Sequence, residues 1–162
     1  MSNYTVYYSD PAKYNYPITI LDGTLNQQAT SITLLGQNYG GNYGGILATD
    51  LVHMLENFAN AAPPNNPIEG QLWFDNSDPN NKVLRINDGG SYGSQWRPVN
   101  GIFQQGNQPT NVQMGDIWVD TIGQQLSIYN GASFTLVGPN YSSATRTGSY
   151  PTSINDRSKS VV

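Results

Sequence analysis

The stretches GQLWFD at 70–75 and GDIWVD at 115–120 decide how this chain is read, because they spell Gly-x-(Leu/Ile)-Trp-(Phe/Val)-Asp twice. A motif that recurs at a fixed spacing marks a duplicated structural unit. Gly70, Trp73 and Asp75 match Gly115, Trp118 and Asp120 at an offset of 45 (115 − 70). Leu84 and Ile86 match Leu126 and Ile128 at 42 (126 − 84), and Trp96 and Val99 match Phe134 and Val137 at 38 (134 − 96). The offset shrinks because the first copy carries longer turns, around NSDPNN at 76–81 and DGGSYGS at 88–94. Insertions confined to turns are what a duplicated β-unit tolerates.

Each copy reads as a three-stranded meander. In the second the strands are DIWVD, QLSIYN and SFTLVG. Ile117 and Val119 fall on one face and Trp118 on the other, since side chains alternate along a strand. NGAS at 130–133 is an Asn-Gly hairpin signal. Asp75 and Asp120 fall where a strand gives way to a turn, where Asp caps backbone N–H groups two residues on. Trp73, Trp96, Trp118 and Phe134 supply the large apolar pieces that a meander this small needs for a core. The same tryptophans could stack on a sugar ring, and burial distinguishes the two roles.

Upstream, residues 1–16 are rich in Tyr, including Tyr4, Tyr7 and Tyr8, and read as an extended arm. Residues 17–66 read as a small α+β segment. PITI at 17–20 and ATSITLLG at 29–36 look like strands around an Asp-Gly turn. GQNYGGNYGG at 36–45 lacks the Gly-Lys-Ser/Thr ending of a phosphate-cradling loop and reads as a flexible connection. From 46 to 61, apolar residues at Leu47, Leu51, Leu55 and Phe58, continued by Ala62, predict one face of an amphipathic helix, with Pro63-Pro64 as its stop. A short helix cannot bury such a stripe alone and needs a sheet or a symmetry mate. Beyond it lie the first module, 67–101, the second, 108–139, and a linker, 140–162. The fold expected is therefore mainly β with one amphipathic helix.

Composition narrows the function. Charged residues make up only 11% of the chain and the net charge is −4, so a phosphate-binding surface for DNA or RNA is not expected. There is no cysteine, which rules out disulfides and thiolate metal sites. No apolar run is long enough to span a membrane, and the start MSNYTVYY lacks the features of a signal peptide. His53, the single histidine, sits mid-helix one turn from Glu56 with no nucleophile pattern beside it. Asp75 and Asp78 faintly suggest a calcium loop, yet the Gly and the distal Glu of such a loop are missing. The sequence thus predicts no catalytic residue, no metal and no cofactor.

Two long stretches resemble a module of tailed-phage virion proteins: GQLWFDNSDPNNKVLRIND with QWRPV, and MGDIWVDTIGQQLSIYNGASFTLVGP. The resemblance is to tail-fibre or baseplate-associated proteins of T4-like cyanophages and related marine phages. It extends over about residues 17–139, because those proteins carry an N-terminal segment similar to residues 18–75 here. The first copy departs from the module at Gln71, where Asp is usual, and at Ile86-Asn87-Asp88, where Tyr-x-Gly is usual. The resemblance implies a virion structural protein, assembled in a host cytoplasm and forming part of the tail. It implies a homotrimer that docks on tail or baseplate proteins through its N-terminal region. Leu51, Leu55, Phe58 and the N-terminal tyrosines would make those contacts. INDRSKSVV at 154–162 reads as a linker running into a new strand, so a longer protein whose further parts meet host-surface glycan is expected. The alternative reading is a carbohydrate-binding module, and an enzyme such as a depolymerase is disfavoured because acidic pairs are lacking.

Overall fold

The computed structural model describes residues 2–12, 17–90, 95–138, 150–154 and 157–161, the last two stretches as backbone alone. The chain is mainly β, and among the described residues it has a single helix. It divides into two compact units, Met1–Val99 and Asn100–Val162.

In the first unit, β1 (Tyr4–Val6) pairs antiparallel with β2 (Ile18–Ile20). The expected arm is thus partly a strand. Ile18 and Ile20 point inward and are buried, while Thr19 between them is exposed, as alternation requires. The two segments read as one hairpin do not pair with each other. Instead β3 (Leu25–Asn26) pairs with β4 (Leu34–Leu35). The Asp22-Gly23 turn still forms, with Gly23 at φ +70°, but it links β2 to β3.

Helix α1 spans Tyr43–Leu55, starting three residues earlier and ending six residues earlier than the apolar spacing predicts. Asn42 caps its start by accepting the Gly45 N–H at 3.0 Å. Its end is a Schellman motif around Asn57, which stands at φ +53°. The Phe58 N–H donates to the His53 carbonyl at 2.7 Å and the Asn57 N–H to the Met54 carbonyl at 3.2 Å. Pro63-Pro64 therefore stops nothing: the left-handed Asn has already turned the chain. Phe58 and Ala62 lie beyond the helix and leave its stripe. The sole buried residue of α1 is Asp50, whose carboxylate accepts the Thr33 N–H.

The first module is a sheet of β5 (Leu72–Asp75), β6 (Val83–Asn87) and β7 (Trp96–Pro98), antiparallel throughout. In the second unit, β9 (Ile117–Asp120), β10 (Gln125–Tyr129) and β11 (Phe134–Leu136) form the same meander. An unpredicted strand, β8 (Ile102–Gln105), joins it parallel to β9. The first copy has a vestige of this strand. Asn60 forms an isolated parallel bridge with Asp75, the counterpart of the Gln105–Asp120 pair. Both modules thus begin upstream of their expected boundaries. Of the expected linker, residues 140–149 lie outside the described residues, whereas β12 (Tyr150–Ile154) and β13 (Arg157–Val161) form a hairpin.

Candidate functional site

The duplicated tryptophans are pinned in the same way. The Trp73 indole N–H donates to the Asn60 carbonyl at 3.1 Å, and the Trp118 indole N–H donates to the Gln105 carbonyl at 2.9 Å. Each reaches back 13 residues, to the segment that lies parallel to its own strand. Each also meets a second ring edge-on. Trp73 meets Trp96 at 5.4 Å and 67°, and Trp118 meets Phe134 at 5.5 Å and 64°. Edge-to-face contacts of this kind add to what burial alone supplies. Trp73 is 6% exposed, while Trp96, Trp118 and Phe134 are half-buried.

The paired aspartates both form Asx turns. Asp75 accepts the Ser77 N–H at 3.1 Å and Asp120 accepts the Ile122 N–H at 2.9 Å. The turn before each tryptophan strand is also shared. Gln71 Oε1 accepts the Ile68 N–H at 3.1 Å, and Asp116 Oδ2 accepts the Gln113 N–H at 2.7 Å. Gln71 therefore departs from the motif in charge and not in role, because the turn requires only a side-chain acceptor. The other departure is a shift of one residue that the 42-residue offset of the repeat already removes. Asn87-Asp88-Gly89, not Ile86-Asn87-Asp88, occupies the place of Tyr129-Asn130-Gly131, with Gly89 at φ +79° and Gly131 at +97°. Only the tyrosine is replaced.

The copies differ in what surrounds these anchors. Opposite Trp73 stands Arg85; opposite Trp118 stands Ser127. Arg85 Nε donates to Asp75 Oδ2 at 2.8 Å, and the guanidinium lies 5.8 Å from the centre of the Trp73 ring. Burial by itself would raise the Asp75 carboxyl. The Ser77 hydroxyl, its N–H and the Arg85 guanidinium outweigh that and hold it below the ordinary carboxylate value.

The N-terminal tyrosines are tied to their own unit. The Tyr4 hydroxyl donates to the Leu35 carbonyl and the Tyr8 hydroxyl to the Ala29 carbonyl at 3.1 Å. Burial pushes the Tyr8 phenol up. Tyr7 is exposed. On α1, Leu47, Leu51, Val52, Met54 and Leu55 are all exposed, Leu55 to 84%, and Phe58 is half-buried. Besides Pro98 and Pro109, four apolar side chains are buried among the described residues: Ile18, Ile20, Trp73 and Phe103. Among these residues no three His, Asp or Glu side chains gather closely enough to hold a metal ion. No helix there is long and apolar enough to cross a membrane.

The class that this geometry defines is a duplicated β-meander protein with indole-to-backbone anchors and an apolar helix face. No protein-family model, curated protein or solved structure matches the chain.

Proposed function

We propose that this chain is a structural protein of a phage virion, part of a tail fibre or a baseplate accessory, and carries no catalytic duty. In this reading the N-terminal region docks on tail or baseplate proteins, and copies of the chain associate, as a homotrimer in a fibre. The virion tail is its location.

The observation that carries the reading is the uncovered face of α1. A chain that buries so few apolar side chains while exposing Leu47, Leu51, Val52, Met54 and Leu55 on one helix is suited to being completed by other protein. Supporting it are the resemblance of residues 17–139 to phage tail modules and a surface built from neutral polar groups. The duplicated Trp and Asp residues are accounted for by indole anchors and Asx turns, which leaves them without a chemical task.

Light scattering on the purified chain tests the proposal. A trimer is the expected result, and Leu51→Asp with Leu55→Asp should dissociate it while the β signal in circular dichroism persists. A stable wild-type monomer that associates with no tail or baseplate protein would overturn the proposal.

A further inference from the structure

The two modules share the indole bond, the edge-on ring and the Asx turn, so these anchors do not fix the identity of residues that differ between the copies. Arg85 and Trp96 are two such residues, replaced by Ser127 and Phe134 in the second copy. Both line a cleft of about 480 Å³ in the first unit, together with Pro63-Pro64, Asn65, Asn66 and Gln95. That volume lies within the range of small-ligand sites, ~300–1,000 Å³.

The lining selects the chemistry. Among the described residues its single cation is neutralised by Asp75, because Arg85 Nε is bonded to that carboxylate. A phosphate or nucleotide would therefore meet no net positive charge. A purely apolar ligand would leave the amides of Asn65 and Gln95 and the outer edge of the guanidinium desolvated, whereas the Asn66 amide already donates to the Gln27 carbonyl at 3.0 Å. An uncharged ligand with both C–H patches and many hydroxyls matches each group. Its C–H faces would lie on the Trp96 indole and the prolines, and its hydroxyls would bond the amides and the guanidinium Nη groups.

We infer that the cleft formed by Trp96, Arg85 and the Pro63–Asn66 turn binds a neutral saccharide unit. The inference goes beyond the structural role proposed above and does not depend on it. A virion part and an unrelated protein could carry the same site.

The test uses the full chain with maltose, cellobiose, lactose and chitobiose as neutral probes and galacturonate as the charged comparator. Binding is read by saturation-transfer NMR and by titration of tryptophan emission. At least one neutral disaccharide should bind at millimolar concentration. Trp96→Phe and Arg85→Ser, which install the second copy's own residues, should each weaken it about tenfold or more. Trp96→Phe keeps an aromatic that the duplicated sheet already tolerates, so its unfolding midpoint reports whether the fold is intact. Three results would overturn the inference: no neutral probe binds, binding is unchanged in a folded Trp96→Phe protein, or galacturonate binds more tightly than every neutral probe.

Discussion

The first module and the second solve the same problem with different side chains. Both hang a tryptophan from a carbonyl 13 residues upstream and set a second ring against its edge. The second fills the space beside that pair with another ring, Tyr129, 5.2 Å from Phe134. The first has the buried Asn87 in that place and puts a charged group, Arg85, over its tryptophan. An all-aromatic cluster needs no partner beyond packing. A guanidinium against an indole needs a counter-ion, which Asp75 provides at 2.8 Å. Asp75 therefore does two jobs where Asp120 holds only its turn: Ile122 and Gly123 both donate to Asp120 Oδ1. What stays constant across the duplication is the backbone-directed bonding and the edge-on ring pair; what diverges is the side chains set beside them.

The largest test of this comparison is removal of each tryptophan. Trp73→Ala should cost roughly 3–5 kcal/mol in denaturant unfolding, because Trp73 is buried and supports both Trp96 and Arg85. Trp118→Ala should cost about half as much, since Trp118 is half-buried. Equal costs would show that the shared indole bond, and not the surroundings, sets the stability.

The aspartates come next. Asp75→Asn keeps an acceptor for the Ser77 N–H but unpairs Arg85, and should cost about 1–3 kcal/mol. Asp120→Asn should cost less than about 1 kcal/mol, because it keeps the turn and has no cation to abandon. The difference carries a pH signature. The folded Asp75 carboxyl titrates below its ordinary value, so its contribution is fully present above that value, about 4. It is lost as pH falls through the folded value. Unfolding midpoints measured downward from neutral pH should therefore fall more steeply in the wild type than in Asp75→Asn. Parallel profiles would remove the ion pair from the account.

The smallest effect should be the most alike in the two copies. Gly70 and Gly115 stand at φ +85° and +95°, and a Cβ at either would meet no atom within 4 Å. Gly70→Ala and Gly115→Ala should each cost about 1 kcal/mol, from backbone strain alone. A clear inequality would mean that one turn is held by more than its backbone.

Much of the site was legible because it is local. Asx turns depend on residues two apart, and the Asn130-Gly131 hairpin on its own dipeptide, so Asp75, Asp120 and Gly131 announce themselves. The alternation that sets Trp118 opposite Ile117 and Val119 is equally local. The helix was legible in its middle and not at its ends. Asn42 and Asn57 cap it through conformations that apolar spacing does not encode, and the nearby prolines are a stronger but irrelevant signal. Nothing in Asn57-Phe58-Ala59-Asn60 has a strand pattern, yet Asn60 receives the Trp73 indole and bridges Asp75.

The sequence by itself determined that this is a duplicated, mainly β protein built around two tryptophan strands, because period-two alternation, turn dipeptides and repeat spacing are all written in residues near one another. Tertiary structure alone decided that each indole hangs from a backbone carbonyl, that β8 pairs parallel to β9, and that the leucines of α1 face outward while Asp50 faces in. Those outcomes depend on which distant backbone groups come within bonding reach, and a carbonyl has no residue type by which a sequence could single it out.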